Sequence, residues 1–420
     1  MIRRMDNPVQ RYAWGSVEAI PRLLGVPPDG EPQAELWLGA HERAASQVAG
    51  PDGPVSLLDV IASDPEGELG GDWSEDGRMP FLAKVIATGA PLSLQVHPDA
   101  DRARHWYAEE ERRGLDPNLE TRTCPDDVAK AEMVLALTEF RALCGFRHCD
   151  ESVDWLEALD VAALKPTAES LRRHGRDALR DEVARLLRLD SPADAVAAIR
   201  ARAEVLENDA RWAHSAQVAL TLATLYPHDP AVALALLLEP LALAPGETMF
   251  VRPGQPHCYL SGTAFEVQAN SDNVLRAGLT SKHVDVDLLL QALDTTDSTG
   301  AGTGAGVAAI TGVHVGDEQV FAPDTNRFAL SVLRAADGAT PLPAVPGPQV
   351  LFCLDGEFAA ADTLGPDTGH EVVLRRGESA YAPANAVPLR VRGSGRLLRV
   401  TTGRAGHVPA APAHPDRRST

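Results

Sequence analysis

The segment Leu92–Pro98 alternates between apolar and polar residues. Side chains of a β-strand point to opposite faces in turn. The pattern therefore predicts a strand with leucine and valine on one face and with Ser93, Gln95 and His97 on the other. The apolar face suits a hydrophobic core, so the polar face is left to contact water or a ligand.

Short apolar stretches of this kind, separated by turns rich in proline and glycine, fill residues 1–147 and return from residue 241 onwards. Between them the chain is rich in alanine, and Leu179, Val183 and Leu186 recur at the spacing of an amphipathic helix. We therefore predict a mainly β protein with an inserted helical domain.

These patterns predict five parts. They are a first β unit at 1–149 together with 240–294, a helical insertion at 150–239, a flexible linker at 295–306, a second β unit at 307–404 and a disordered tail at 405–420. The linker prediction rests on a low-complexity run of glycine, serine, threonine and alanine. The tail prediction rests on its proline and alanine content.

Composition narrows the class of protein. The 420 residues are 44% hydrophobic and 23% charged, which is ordinary for a globular chain. The net charge of −20 argues against nucleic acid as a partner, and no apolar run is long enough to predict a membrane span. Five cysteines without paired spacing, and no apolar segment after the first charged residues, predict a cytoplasmic protein with reduced thiols.

Two residues elsewhere fit Gln95 and His97 as ligands of one metal ion. Glu132 lies just before the apolar run 133–137, and His257 follows a Pro-Gly turn. Two imidazoles, one carboxylate and one amide oxygen form a mixed nitrogen and oxygen set. That set suits zinc or a similar divalent ion, with a position left open for water or substrate.

The run Ser271–Lys282 reads Ser-Asp-Asn-Val-Leu-Arg-Ala-Gly-Leu-Thr-Ser-Lys, and it presents Asp272, Arg276 and Lys282 from one loop. Together with six other segments in the same order, it resembles the type I mannose-6-phosphate isomerases (phosphomannose isomerases). The other segments are Tyr12–Gly15, Ala34–Gly39, Pro80–Lys84, Leu92–Pro98, Lys130–Met133 and Pro256–Gly262.

The resemblance implies a fold and an activity. The fold is a double jelly-roll (bicupin) with two β-barrels, of which the second, C-terminal barrel has no metal. The activity is a zinc-dependent interconversion of mannose 6-phosphate and fructose 6-phosphate through a cis-enediol, with one Zn²⁺ in each chain. We expect a sugar phosphate as the ligand, a monomeric protein and a role in mannose metabolism.

The same resemblance suggests roles for the residues of the matched segments. The metal ligands are Gln95, His97, Glu132 and His257; the predicted catalytic residues are Arg276, Lys130, Asp272, Glu266 and Tyr259; the predicted substrate-binding residues are Lys84, Ser93, Lys282 and Trp14. Arginine pairs well with oxyanions, which favours Arg276 for the enediolate or the phosphate. Two structural roles stay open: Glu266 in a salt bridge within the barrel, and Asp272 as a cap of its own turn.

One segment departs from the family pattern. The family usually carries Asn-His-Lys-Pro before the ligand glutamate, whereas this chain carries residues 128–131 as Val-Ala-Lys-Ala. Ala129 has no titrating group, so a mechanism that uses a histidine there as the base cannot operate. Either the base lies elsewhere, or the rate or specificity is altered. For His41 and His283 we expect surface or core roles.

Two alternatives keep the fold and change the function. An iron-dependent bicupin oxygenase would also use two histidines and a carboxylate. A non-catalytic bicupin would bind a sugar or another small molecule. Oxygenase chemistry does not explain the run Ser271–Lys282, and retention of all four candidate ligands argues against loss of activity.

Overall fold

A computed structural model describes residues 1–50, 52–116, 119, 121–295, 309–335, 339–362, 371–386 and 388–403. The predicted linker, apart from residue 295, and the predicted tail at 405–420 lie outside the described residues. The chain is rich in strands, and helices are concentrated in its middle third.

Strands build the sheets that hold the site. They are β1 (Arg3–Asp6), β2 (Val9–Gln10), β3 (Glu35–Leu38), β4 (Gln47–Gly50), β5 (Gly53–Ser56), β6 (Phe81–Thr88), β7 (Leu94–Val96), β8 (Glu132–Ala136), β9 (Phe140–Phe146), β10 (Leu238–Leu243), β11 (Thr248–Val251), β12 (His257–Ala269), β13 (Leu275–Gly278), β14 (Val313–Val315), β15 (Glu318–Phe321), β16 (Ala329–Ala335), β17 (Ala339–Pro341), β18 (Gln349–Asp362), β19 (Glu371–Arg375), β20 (Ser379–Ala382) and β21 (Leu389–Thr401).

Most helices lie between β9 and β10. The helices are α1 (Ala19–Leu24), α2 (Leu57–Ser63), α3 (Pro65–Leu69), α4 (Ala100–Arg112), α5 (Cys149–Leu159), α6 (Lys165–His174), α7 (Leu179–Leu187), α8 (Pro192–Leu206), α9 (Ala213–Leu225), α10 (Ala231–Ala235) and α11 (Val286–Ala292), with short 3-10 helices at Ala162–Leu164 and Gly175–Ala178. This confirms that helices interrupt the β pattern, while the exact domain boundaries stay a prediction. No described helix is long and apolar enough to cross a membrane.

The long strand β12 is the centre of the first sheet. Its opening residues pair with β9, and His257 also pairs with β7. Its later residues pair with β6 on one side and β8 on the other. One strand therefore aligns polar residues from four neighbours, and this alignment positions the site.

The predicted alternation is confirmed for Leu94–Val96, whereas Ser93 and His97 lie outside this shorter strand. Leu94 and Val96 are fully buried and belong to the same hydrophobic cluster as Trp155 and Val183 of the helical segment. Burial of apolar surface of this kind is the main force that holds one element on another. The helices thus cover the apolar face of β7, while β12 and β13 pair along its edges.

The expectation of two closed barrels is not confirmed. Among the described residues, one sheet runs β10-β9-β12-β6-β3-β2 and the other runs β14-β15-β16-β21-β18-β20-β1-β4-β5, with further strands paired alongside, and neither path closes on itself. Alternation predicts strands and faces, whereas it does not specify which edges pair. The two sheets pack together, with the rings of Phe265 and Phe352 5.5 Å apart.

The first strand belongs to the second sheet, which the sequence pattern does not indicate. In β1, Arg3 pairs with Tyr381 of β20, and Met5 pairs with Val48 of β4. The guanidinium of Arg3 also makes a bidentate ion pair with Glu68, at 2.8 and 2.9 Å. Residues from the two ends of the described chain therefore complete one sheet.

Candidate metal centre and cavity

Three of the four predicted metal ligands meet in one buried cluster. His97 follows β7, Glu132 begins β8 and His257 begins β12. Their candidate ligand atoms all lie within 4.8 Å of one another, and all three side chains are almost completely buried. The fourth predicted ligand, Gln95, is the cross-strand partner of His257. Its role as a ligand stays a prediction.

The hydrogen bonds of the two histidines fix which nitrogen is available. The Nδ1 atom of His97 lies 2.7 Å from the carbonyl of Asn273, and Nδ1 of His257 lies 3.1 Å from the carbonyl of Gln255. A carbonyl only accepts, so each Nδ1 carries the proton and each Nε2 presents a lone pair. Both Nε2 atoms are buried without a hydrogen-bond partner.

These lone pairs face the carboxylate of Glu132. Nε2 of His97 lies 3.2 Å from one carboxylate oxygen, and Nε2 of His257 lies 3.3 Å from the other. Burial and the nearby Lys130 lower the pKa of His97 to about 4, so its imidazole is neutral at neutral pH. Buried acceptors that face one another are stabilised by a cation between them. The residues therefore fit a divalent metal ion.

The segment Ser271–Asn273 connects the elements that carry this cluster through hydrogen bonds. The side-chain amide of Asn273 donates to the carbonyls of Asp126 and Val128, both at 2.8 Å. The Ser271 hydroxyl donates to the carboxylate of Asp126 at 2.8 Å. The loop that leads to Glu132 and the carbonyl that holds His97 are therefore joined. Asp126 was missed by the sequence reasoning, because no motif includes it.

A layer of alternating charges lies beside the cluster. The ammonium of Lys84 is 3.5 Å from Glu266 and 3.7 Å from Glu35, which the sequence reasoning did not single out. Lys130 contacts Glu132 at 2.9 Å. The Tyr259 hydroxyl lies 3.0 Å from Glu266 and 3.3 Å from Glu132, so its single proton can go to either carboxylate.

Burial sets the protonation of this layer. It raises the pKa of Glu266 to about 7, with the charge of Glu132 adding to the effect. Burial would lower the pKa of Lys84, but the carboxylates of Glu35 and Glu266 outweigh it and keep the ammonium charged. A carboxyl group that titrates near neutral pH can both take and give a proton.

Asp272 is held by two basic residues. Its carboxylate oxygens lie 3.4 Å from Nε2 of His41 and 3.1 Å from Nε of Arg43. The backbone N–H of Arg43 donates to Nδ1 of His41, so the ring proton lies on Nε2 and points at Asp272. Burial opposes ionisation, but His41 and Arg43 hold the pKa of Asp272 well below its usual range. His41 is buried against Trp37, so it has a core role and a polar contact.

All of the predicted catalytic and substrate-binding residues border one cavity of about 1510 Å³. It is also bordered by Gln95 and Glu132, whereas His97 and His257 lie behind its wall. The helical segment contributes Tyr226 and Asp229 to the rim. The size suits a small polar molecule with bound water. The fold and the site together define a sheet-built metal-binding protein with a cavity for a small ligand.

Comparison with known proteins identifies the family. The family model described as "Phosphomannose isomerase type I, catalytic domain" matches residues 2–149. A mannose-6-phosphate isomerase of Escherichia coli is 35% identical over 95% of this chain and 99% of its own length. Mannose-6-phosphate isomerase 1 of Arabidopsis thaliana is 30% identical over 95% of this chain and 93% of its own length. The chain belongs to the type I phosphomannose isomerase family.

Solved structures agree with this assignment. A mannose 6-phosphate isomerase from Salmonella typhimurium, described as bound to fructose 6-phosphate and zinc, has a TM-score of 0.86 and 33% identity, and the match covers 96% of this chain and 100% of that one. A zinc-bound mannose 6-phosphate isomerase matches with the same TM-score, identity and coverage. The resemblance noted from the seven sequence segments is confirmed.

Proposed function

We propose that this chain is a zinc-dependent aldose–ketose isomerase that interconverts mannose 6-phosphate and fructose 6-phosphate through a cis-enediol. The observation that carries the proposal is the buried cluster of His97, Glu132 and His257 beside a polar cavity, in a chain that matches zinc-bound isomerases over nearly its whole length. His97, Glu132 and His257 would hold the ion, with Gln95 as a fourth ligand.

When bound, zinc acts as a Lewis acid that stabilises negative charge on the oxygens of the opened sugar. The side chains of the protein have the remaining tasks. The Tyr259 hydroxyl and Glu266 form one hydrogen-bonded pair that borders the cavity. We propose that Glu266, whose pKa is about 7, moves a proton at the substrate, with Tyr259 orienting its carboxylate.

The cations of the cavity have complementary tasks. Lys130 contacts the ligand Glu132, so we propose that it stabilises the charge of the metal site and of the substrate oxygens close to it. Arg276 is the cross-strand partner of Gln95, which places its guanidinium on the strand beside the metal cluster. We propose that it neutralises charge on the enediolate or the phosphate.

Asp272, Lys84, Ser93, Lys282 and Trp14 have less specific assignments. All five border the same cavity. Asp272 is held rigidly by His41 and Arg43, so we propose that it acts on the sugar with a fixed, ionised carboxylate. The other four position the substrate and its phosphate.

We also propose that the protein acts as a monomer in the cytoplasm, as part of carbohydrate metabolism. The five cysteines are all unpaired and buried, which agrees with a reducing compartment. We further propose a double jelly-roll of the cupin type as the closest description of the architecture, since one long strand in each sheet pairs with different strands along its length.

The test is a coupled assay of purified protein with mannose 6-phosphate that detects fructose 6-phosphate. We expect activity that chelation removes and that added zinc restores, and we expect His97→Ala to lose both the metal and the activity. A zinc-loaded protein without activity contradicts the proposal. Elemental analysis that finds iron in place of zinc favours the oxygenase alternative.

A further inference from the structure

The helical segment reaches into the cavity through one carboxylate. Asp229 lies between α9 and α10, half-buried at the cavity rim. One oxygen of its side chain accepts the backbone N–H of Leu279 at 2.6 Å. The other accepts the N–H of Ala231, the first residue of α10, at 2.9 Å. Asp229 therefore ties the start of a helix to the segment that follows β13.

The segment that Asp229 holds has an unfavourable backbone conformation. Leu279 has a φ of 56°, in the left-handed region that residues with a Cβ rarely adopt. In the described part of the chain, only Asp160 is another non-glycine residue with positive φ. Leu279 is also buried. Such a conformation persists only when the surrounding structure stabilises it.

The residue before it shows how closely the two segments approach. Gly278 has a φ of 146°, and a Cβ there would lie 2.4 Å from the Cβ of Ala231 and 2.7 Å from a carboxylate oxygen of Asp229. A side chain at position 278 is therefore not accommodated. The hydrogen bond from Leu279 to Asp229 is the polar part of this close contact.

The turn at Leu279 sets the direction of the next three residues. Thr280, Ser281 and Lys282 all border the cavity, and the N–H of Lys282 donates to the Thr280 hydroxyl at 3.1 Å. Upstream of the turn, Arg276 is fixed to β7 by its pairing with Gln95. Leu279 thus lies in the segment that joins Arg276 of β13 to Lys282.

We propose that Asp229 is a positioning residue for the phosphate of the substrate: it holds the left-handed turn at Leu279, and so sets the placement of Lys282 on the wall of the cavity that Arg276 also borders. Both of its oxygens accept backbone N–H groups, so its role is to hold the backbone and not to transfer a proton. This inference rests on the proposed function, since it assigns the phosphate of that substrate to this part of the cavity.

The variant Asp229→Ala removes both acceptors. We expect KM for mannose 6-phosphate to rise roughly ten-fold, the scale of one lost hydrogen bond to a charged group, with kcat changed by less than about two-fold. Inhibition by inorganic phosphate should weaken by a similar factor. Asp229→Asn keeps a carbonyl oxygen for the N–H of Leu279 and should recover most of the affinity.

The matched control is Asp209→Ala. Asp209 also lies in the helical segment, and its carboxylate accepts the N–H groups of Arg211 and Trp212 at 2.8 and 3.0 Å, but it does not border the cavity. We expect this control to leave KM unchanged. A rise in KM equal to that of Asp229→Ala would mean that the effect is a general loss of helix packing, and it would overturn the inference.

Calorimetric binding of fructose 6-phosphate and of inorganic phosphate separates the two proposals. If the wild-type protein binds both ligands but does not isomerise the sugar, the proposed function is contradicted. The effect of Asp229→Ala on phosphate binding can still be measured in that case. Unchanged binding in Asp229→Ala overturns the inference. If that variant does not fold, Asp229→Glu is the alternative, because it moves the same acceptor by one methylene. Unchanged phosphate binding in Asp229→Glu would also overturn the inference.

Discussion

The backbone carbonyl of Asn273 holds the imidazole of His97, 2.7 Å from Nδ1. This contact turns Nε2 towards Glu132 and His257, which is the orientation that a metal ion requires. The Ser-Asp-Asn turn therefore serves the metal site through its backbone, in addition to carrying Asp272 on the cavity wall. A partner that orients a ligand histidine affects metal affinity without touching the metal.

Replacement of the Asn273 side chain should weaken zinc binding. In Asn273→Ala the two hydrogen bonds to the carbonyls of Asp126 and Val128 are lost, so the carbonyl that holds His97 is less well fixed. We expect zinc affinity to fall roughly 10- to 100-fold, as for other partners of ligand histidines. Titration against a competing chelator measures it. Asn270→Ala, which loses one bond to the Ala40 carbonyl, is the control, and an equal loss there would contradict the explanation.

Zinc should also stabilise the folded protein. The buried cluster exists only in the folded state, so binding adds to the free energy of unfolding, by about 4 kcal/mol at a free zinc concentration of 1,000 times Kd. Thermal unfolding with and without zinc measures this increment. We expect His257→Ala to abolish it. A variant that still gains the full increment would show that zinc binds elsewhere.

The stability of the zinc-free protein should respond to pH through Glu266. Its folded pKa of about 7 lies above the ordinary value of 4.5, so its contribution to stability is present below that ordinary value and is lost as the pH rises through about 7. Glu266→Gln does not titrate. The stability of this variant relative to wild type should therefore be higher at pH 8 than at pH 5. Urea unfolding of the chelated proteins measures the free energy of unfolding of wild type and of the variant. If the two differ by the same amount at pH 5 and pH 8, the raised pKa of Glu266 is contradicted.

A histidine at position 129 should change the rate very little. Lys130 and Glu132 border the cavity, and Ala131 and Met133 pack in the core on the other face. Ala129 precedes β8, is half-buried and does not border the cavity. We expect Ala129→His to change kcat far less than the roughly hundred-fold or more that a positioned base contributes. Steady-state kinetics measures this change in kcat. A gain in kcat of roughly hundred-fold or more would mean that the wild-type protein lacks a positioned base.

The sequence predicts the local parts of the site well. Alternation in Leu92–Pro98 predicts both faces of β7, and its polar face carries Gln95 in register with His257. That register joins residues about 160 positions apart, and periodicity holds no information about such pairings. Donor chemistry suggests Glu132 and His257 as partners of His97, and the resemblance to a family, carried by seven ordered segments, supports grouping the three.

What the sequence does not predict depends on contacts between segments. Glu35 belongs to a matched segment, yet its pairing with Lys84 becomes visible only when β3 lies beside β6. Asp126 and Asp229 act on the backbone of other segments, so no pattern in their own neighbourhood marks them. Closure of the barrels was expected from family resemblance, and the strand pairing of the described residues does not include it.

The pairing of β1 with β20 has a consequence for the order of events during synthesis. Arg3 is synthesised long before its partner Tyr381, because the two strands lie far apart along the chain. At ordinary translation rates, roughly 20 to 80 s pass between the synthesis of β1 and that of its partner strand. During this interval one edge of β1 can pair with β4, while its other edge stays open to wrong partners. The open edge of β1 must therefore be protected from wrong strand pairing until β20 has been synthesised.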